Sequence, residues 1–212
     1  MKLDERDLGP GLAGIDLGSN SFHMIVARTV GDGFRVVDRI RRMVRLAAGL
    51  GADNQLNEKA VARALSCLAQ FGERVRGLPD DAVRVLGANA LRKARNTGPF
   101  LAQAEAALGH PIDIISGHEE ARLIYLGVSH GLEDNAEMRL VVDIGGGSTE
   151  LIIGEGLAPL ELESTQMGCV SHSERFFGDG KVSAKRMARA RVAARLELEP
   201  VQAAFRRRGW EQ

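Results

Sequence analysis

Cysteine is scarce in this chain. Cys67 and Cys169 are the only two, one in each half, with no CxxC pair and no cysteine–histidine spacing that suggests zinc. Staples are not needed either, because 212 residues are enough to bury roughly 70% of the unfolded surface in one large domain or two small ones. An excess of either charge is also missing. Lys plus Arg and Asp plus Glu number 28 each, so no global field points to nucleic acid or a membrane surface. No apolar run approaches the ~20 residues of a membrane span. The opening Met1-Lys2-Leu3-Asp4-Glu5-Arg6-Asp7 is charged where a signal peptide has its apolar core. These absences predict a cytoplasmic protein, peripheral at most on the inner membrane, with no nucleic-acid partner and no stable membrane insertion. Local basic clusters remain: Arg39, Arg41, Arg42 and Arg45; Arg92, Lys93 and Arg95; Arg206, Arg207 and Arg208. A solvated surface is their ordinary meaning, but a polyanionic substrate would give the first two a purpose.

What the chain does have is a repeat. Ile15-Asp16-Leu17-Gly18-Ser19-Asn20-Ser21 and Val142-Asp143-Ile144-Gly145-Gly146-Gly147-Ser148-Thr149-Glu150 each run from an apolar strand through Asp into a Gly/Ser turn, after which an apolar stretch resumes. They align without a gap at an offset of 143 − 16 = 127, which puts Asp16 on Asp143, Gly18 on Gly145, Ser21 on Ser148 and His23 on Glu150. So long an offset is no solenoid unit. It predicts two related half-domains, each offering a carboxylate and a backbone-rich turn to a shared cleft for phosphate and a metal ion.

The surrounding pattern supports paired α/β domains with mixed sheets. Strands are expected at 12–15, at 22–30 and, beyond a Gly31-Asp32-Gly33 hairpin, at 34–46, where Arg39, Arg41 and Arg45 alternate with Ile40, Val44 and Leu46. Asn57 caps a helix whose stripe is Val61, Leu65, Leu68 and Val75, with Cys67 on its packed side. A strand at 83–86, a helix from about Pro99 to Leu108 stopped by Gly109, a strand at 112–115 and a helix opened by Ser116 follow. The polar segment 130–137 reads as a crossover, giving a first domain at 1–129 and the beginning of a second at 130–212. The second repeats strand, turn and strand over 140–153, turns at Gly154-Glu155-Gly156, and adds a strand near 157–164. Cys169 lies in a turn, a helix covers 171–177, and a long helix from Ser183 should kink or split at Pro200.

Gly145-Gly146-Gly147-Ser148-Thr149 is a phosphate-loop candidate, since glycines let backbone N–H groups close on an anion. No Lys follows, so it is not a Walker A loop, and a plain hairpin turn is the alternative. Gly18, Ser19, Asn20 and Ser21 gain weight by matching it. Asp16 and Asp143 stand where a carboxylate suits Mg²⁺, or where an Asx turn would form. Glu119 and Glu120 open a helix, where anions are also simply stabilising. A general base could be Glu120 or Glu150. The five histidines, His23, His110, His118, His130 and His172, are scattered without ligand spacing and read as non-catalytic.

Three of these segments together resemble the bacterial exopolyphosphatase / guanosine pentaphosphate phosphohydrolase family: Ile15 to Met24, Ile115-Ser116-Gly117-His118-Glu119-Glu120-Ala121-Arg122-Leu123-Ile124, and Asp143 to Leu151, with Met167-Gly168-Cys169-Val170 in support. The resemblance runs from about Leu12 to Trp210. It implies the actin-like ATPase superfamily fold, α/β, with two RNase H-like domains and the second truncated here. It also implies Mg²⁺-dependent exopolyphosphatase activity: hydrolysis of the terminal phosphoanhydride of linear inorganic polyphosphate, releasing orthophosphate. Carried over, Glu120 is the base that activates water, and Asp143 and Glu150 position metal and water. The two turns hold terminal phosphates and Arg92 is a further phosphate ligand. Guanosine pentaphosphate, in the stringent response, is the second substrate the family implies. Family members continue beyond residue 212 and form homodimers, so a non-catalytic phosphate-binding module is the third reading.

Overall fold

The computed structural model describes residues 10–31, 33–132 and 137–211. Asp32 of the expected hairpin and residues 133–136 of the expected crossover lie outside the described residues. The chain divides into two compact units, 1–114 and 115–212.

The first unit is built on a five-stranded sheet. Strands β1 (Gly11–Leu17), β2 (Ser21–Val30), β3 (Gly33–Met43), β4 (Val83–Gly87) and β5 (Asp113–Ile114) lie in the order β3-β2-β1-β4-β5. The hairpin partners β1/β2 and β2/β3 are antiparallel, whereas β1/β4 and β4/β5 are parallel, which makes the sheet mixed as expected. Strict alternation in β1 and β2 sends Ala13, Ile15, Leu17, Phe22 and Met24 to one face, all buried. Helices α1 (Glu58–Val75) and α3 (Thr97–Leu108) complete that core, with the short α2 (Asn89–Lys93) following β4. The Asn57 side chain accepts the Ala60 N–H at 2.9 Å and so starts α1 where expected. The packed stripe of α1 is Ala60, Ala64, Cys67, Leu68, Phe71 and Val75, with Val61 and Leu65 on its flank. Strand β3 is shorter than expected. It ends at Met43, and Arg45 takes a left-handed φ of 53° beyond it. As an edge strand it buries no residue fully, so Val44 and Leu46 reach the core only after the strand has ended.

The second unit holds α4 (Gly117–His130), the antiparallel sheet β6 (Met138–Ile144), β7 (Thr149–Glu155) and β8 (Ala158–Thr165), then α5 (Cys169–Phe177) and α6 (Ala184–Arg208). The unit boundary therefore falls before α4, not after residue 129. The reason is packing. Ala121, Tyr125 and Ser129 form the buried stripe of α4, and Ala121 and Tyr125 cluster with Ile152 of β7, flanked by Val141 and Leu162. Gly154 is the point of closest approach: a Cβ there would sit 2.4 Å from the Tyr125 ring and 2.5 Å from the Ala158 carbonyl oxygen. That role keeps Gly154 in β7, and the turn starts two residues later than expected, at Gly156, and ends at Leu157. Pro200 does not split α6, which continues to Arg208. A missing N–H removes one hydrogen bond, which so long a helix absorbs. Among the described residues no helix is long and apolar enough to cross a membrane.

Candidate functional site

The two loops flagged by the repeat are built alike. In the first unit β1 and β2 pair so that Asp16 lies opposite His23, and β2 and β3 so that His23 lies opposite Arg41. In the second, Asp143 lies opposite Glu150, and Glu150 opposite Ser164. Residues directly opposite on antiparallel strands share a sheet face. Each unit thus carries a polar row: Asp16, His23 and Arg41 in one, Asp143, Glu150 and Ser164 in the other.

Each loop is held by the chain segment that follows the third strand of its unit. The Ala47 N–H donates to the Ser19 carbonyl at 2.9 Å and the Arg45 N–H to the Asn20 carbonyl at 2.8 Å. In the second unit Cys169 donates to the Gly145 carbonyl at 2.9 Å, and Val170 and Ser171 both donate to the Gly146 carbonyl at 3.0 Å. These donors are the first amides of α5, which in an isolated helix lack partners. Cys169 is therefore the exposed first residue of a helix, not part of a turn. In a planar trans peptide the N–H points opposite to the C=O. Holding the Gly145 and Gly146 carbonyls against α5 therefore turns the Gly146 and Gly147 N–H groups away from it. The same argument turns the Asn20 N–H away from Ala47. A glycine run with its amides presented outward can close on an anion.

Gly168 makes this joint possible. A Cβ at that position would lie 2.4 Å from the carbonyl carbon of Gly146 and from the nitrogen of Gly147. Thr149 contributes to the same joint, its hydroxyl donating to the Met167 carbonyl at 2.6 Å. It is buried and alternates with Glu150 to the other sheet face, so it ties the loop down and does not face a ligand as expected from sequence.

Glu150 is the most perturbed group of the site. It is 1% exposed, accepts the Ser164 hydroxyl at 2.8 Å and is also hydrogen-bonded to Ser148. Burial foremost, then the Glu120 charge and, more weakly, Asp143 push its carboxyl up to about 7, against the opposing pull of the two serines. So Glu120, Asp143, Glu150 and Ser148 are brought together within the second unit. Ser164 is a partner that the sequence did not flag, because only the β7/β8 register reveals it. The adjacent glutamates divide their work. Ser116 caps α4 by accepting the Glu119 N–H at 3.1 Å, and Glu119 forms a paired contact with Arg122 at 2.7 and 2.8 Å, which lowers its own pKa. Glu120 is half-buried and acts on Glu150.

In the first unit Gly18, Ser19, Asn20 and Ser21 follow β1, and Arg92 stands half-buried on α2 just past the end of β4, the strand beside β1. Carboxyl ends of parallel strands are where α/β sheets bind ligands. His23 is more engaged than a scattered histidine: its Nε2 lies 2.8 Å from the Ser21 hydroxyl, and burial foremost, then Arg41, lowers its pKa. Asp16 is exposed at the mouth of its loop, as Asp143 is in the second unit.

The donor chemistry fits a hard divalent cation. The crowding of Glu120 and Asp143 on Glu150, which with burial raises the Glu150 pKa, is relieved by positive charge. Among the described residues no group of three His, Cys, Asp or Glu could hold a metal by itself. Mg²⁺ rests on one or two carboxylates and completes its shell with water and phosphate, so Asp143 in the second unit and Asp16 in the first are suitable single donors.

The chain is similar to several known proteins. A Haemophilus influenzae protein named "Putative exopolyphosphatase" is 47% identical over 200 residues, which is 94% of this chain and 62% of that protein. The crystal structure of an exopolyphosphatase from Cytophaga hutchinsonii superposes with a TM-score of 0.89 at 25% identity, covering 96% of this chain and 65% of that one. A PPX-GPPA enzyme of Aquifex aeolicus gives a TM-score of 0.73 at 26% identity, covering 91% and 64%. The chain thus spans under two thirds of the length of these relatives. The fold is that of the actin-like ATPases, and it extends to a PilM–PilN pilus biogenesis complex at 14% identity and a TM-score of 0.53. Residues 25–212 match the family model itself, and the chain belongs to the Ppx/GppA phosphatase family.

Proposed function

We propose that the protein is an exopolyphosphatase, removing orthophosphate from the end of linear inorganic polyphosphate by hydrolysis of the terminal phosphoanhydride. The observation that carries this reading is the buried Glu150, opposed by Glu120 and Asp143 beside a glycine loop whose amides face outward. Phosphoryl transfer asks chiefly for positioning and charge neutralisation. Within the second unit the outward amides of Gly146 and Gly147 are donors suited to phosphate oxygens, and within the first Asn20, Ser21 and Arg92 are the donors proposed for phosphate. A bound Mg²⁺, held through Asp143 or Asp16, would add neutralisation of phosphate charge. Burial foremost, and then the Glu120 charge, keep a proton on Glu150 up to about neutral pH, so we take Glu120 as the anionic partner of the pair. It accepts the proton of the attacking water, while Glu150, fixed by Ser148 and Ser164, and Asp143 orient that water.

The test is phosphate release, with Mg²⁺, from long-chain polyphosphate and from guanosine pentaphosphate, beside a Glu120→Gln variant. Release from polyphosphate that the variant loses, with tripolyphosphate binding kept within a few-fold, is the expected result. Retained turnover in Glu120→Gln would remove the assigned base. Release from guanosine pentaphosphate alone would transfer the activity to that substrate. A folded chain that releases none from either would be a phosphate-binding module.

A further inference from the structure

Each loop ends in a serine whose hydroxyl meets the residue two places on: Ser21 meets His23, and Ser148 meets Glu150. The two partners are not chemically equivalent. The Glu150 carboxyl accepts the Ser148 hydroxyl as it accepts that of Ser164, which leaves the Ser148 oxygen to present lone pairs. A neutral imidazole has one N–H and one bare nitrogen, and can take either part. We infer that His23 is a positioning residue: through its Nε2–H it donates to the Ser21 oxygen, so that the Ser21 proton is free for a phosphate oxygen. The two serines then differ in kind, Ser21 offering its proton and Ser148 offering lone pairs.

Three observations support the assignment. The Nε2 to Oγ distance is 2.8 Å, and Ser21 is 8% exposed, so its hydroxyl has little water to turn toward. Burial foremost, and then Arg41 directly opposite on β3, favour the neutral His23 ring, which has a single proton to place. A phosphate oxygen is an acceptor at neutral pH. The opposite tautomer would aim two sets of lone pairs at one another.

This inference rests on the phosphate reading of the first loop, and the experiment separates the two. Binding of tripolyphosphate to the whole chain is measured by calorimetry for the parent, Ser21→Ala, His23→Gln, His23→Glu and the double variant Ser21→Ala/His23→Glu. Ring ¹⁵N spectra of His23 are recorded with and without tripolyphosphate. Ser21→Ala should weaken binding about tenfold, the effect of one hydrogen bond to a charged group. His23→Gln, whose amide can still donate, should stay within about twofold, and His23→Glu should lose at least as much as Ser21→Ala. In the Ser21→Ala background the His23→Glu loss should shrink to its charge component alone. The saturated parent should show protonated Nε2 and bare Nδ1. A bare Nε2 in the bound state overturns the inference, as does an undiminished His23→Glu loss in the Ser21→Ala background. An unaffected Ser21→Ala, or no binding by the folded parent, overturns the phosphate reading itself, and the role of His23 with it.

Discussion

At the scale of single residues, Glu150 concentrates the electrostatic cost of the second unit. Its carboxyl is raised from 4.5 to about 7 in the folded chain, so between those values the folded state binds more protons than the unfolded. Stability therefore falls as pH rises through that window and is lower by about 3 kcal/mol above it, at roughly 1.36 kcal/mol per pKa unit. Glu150→Gln removes the charge while nearly keeping the shape. In magnesium-free buffer it should melt several degrees above the parent at pH 8 and close to it at pH 5. Equal differences at both pH values would show that Glu150 is not held protonated. Neither this shift nor the Ser164 bond was legible in sequence. The identities of Asp143 and Glu150 could be read from the repeat, but their crowding with Glu120 depends on how α4 lies on β7 and β8.

Among elements, the joint between the glycine loop and the start of α5 is the most constrained. Gly168→Ala places a methyl group 2.4 Å from the Gly146–Gly147 peptide, which cannot yield without breaking the bonds from Cys169, Val170 and Ser171. The expected outcome is a loss of about 1–3 kcal/mol in urea unfolding, with weakened tripolyphosphate binding in the protein that remains folded. Gly154→Ala, which drives the same methyl group into the Tyr125 ring, should cost a similar amount by undocking α4. Asn57→Ala offers a milder comparison, about 1 kcal/mol, because it removes only a cap. Much of this level was legible beforehand. Periodicity located the hairpins and helices, and Asn57 and Ser116 marked two helix starts. The misplacements share a cause, which is tertiary contact overriding a local signal. Gly154 looked like a turn residue and is instead the seat of Tyr125, while Thr149 looked like a loop hydroxyl and is instead a tie to Met167.

Across the whole molecule, the two units differ in how much core they own. The first has one large cluster running from Ala13 to Ile112, whereas the buried members clustered under α4 are Ala121, Tyr125 and Ile152. The second unit should open first on heating, giving a melt broader than two-state, and its amides should exchange faster than those of β1, β2 and α1 by hydrogen-exchange mass spectrometry. The cysteines divide along the same line. Cys67 is buried in α1 of the first unit, and burial pushes its thiol up to about 11, whereas Cys169 is exposed where α5 grips the glycine loop of the second. A maleimide at neutral pH should therefore attach once, at Cys169, and intact-mass spectrometry would count the adduct. The unmodified protein thus carries a natural handle for a fluorophore or a fluorine label beside its proposed phosphate site, and ligand arrival could be watched there without introducing a single mutation.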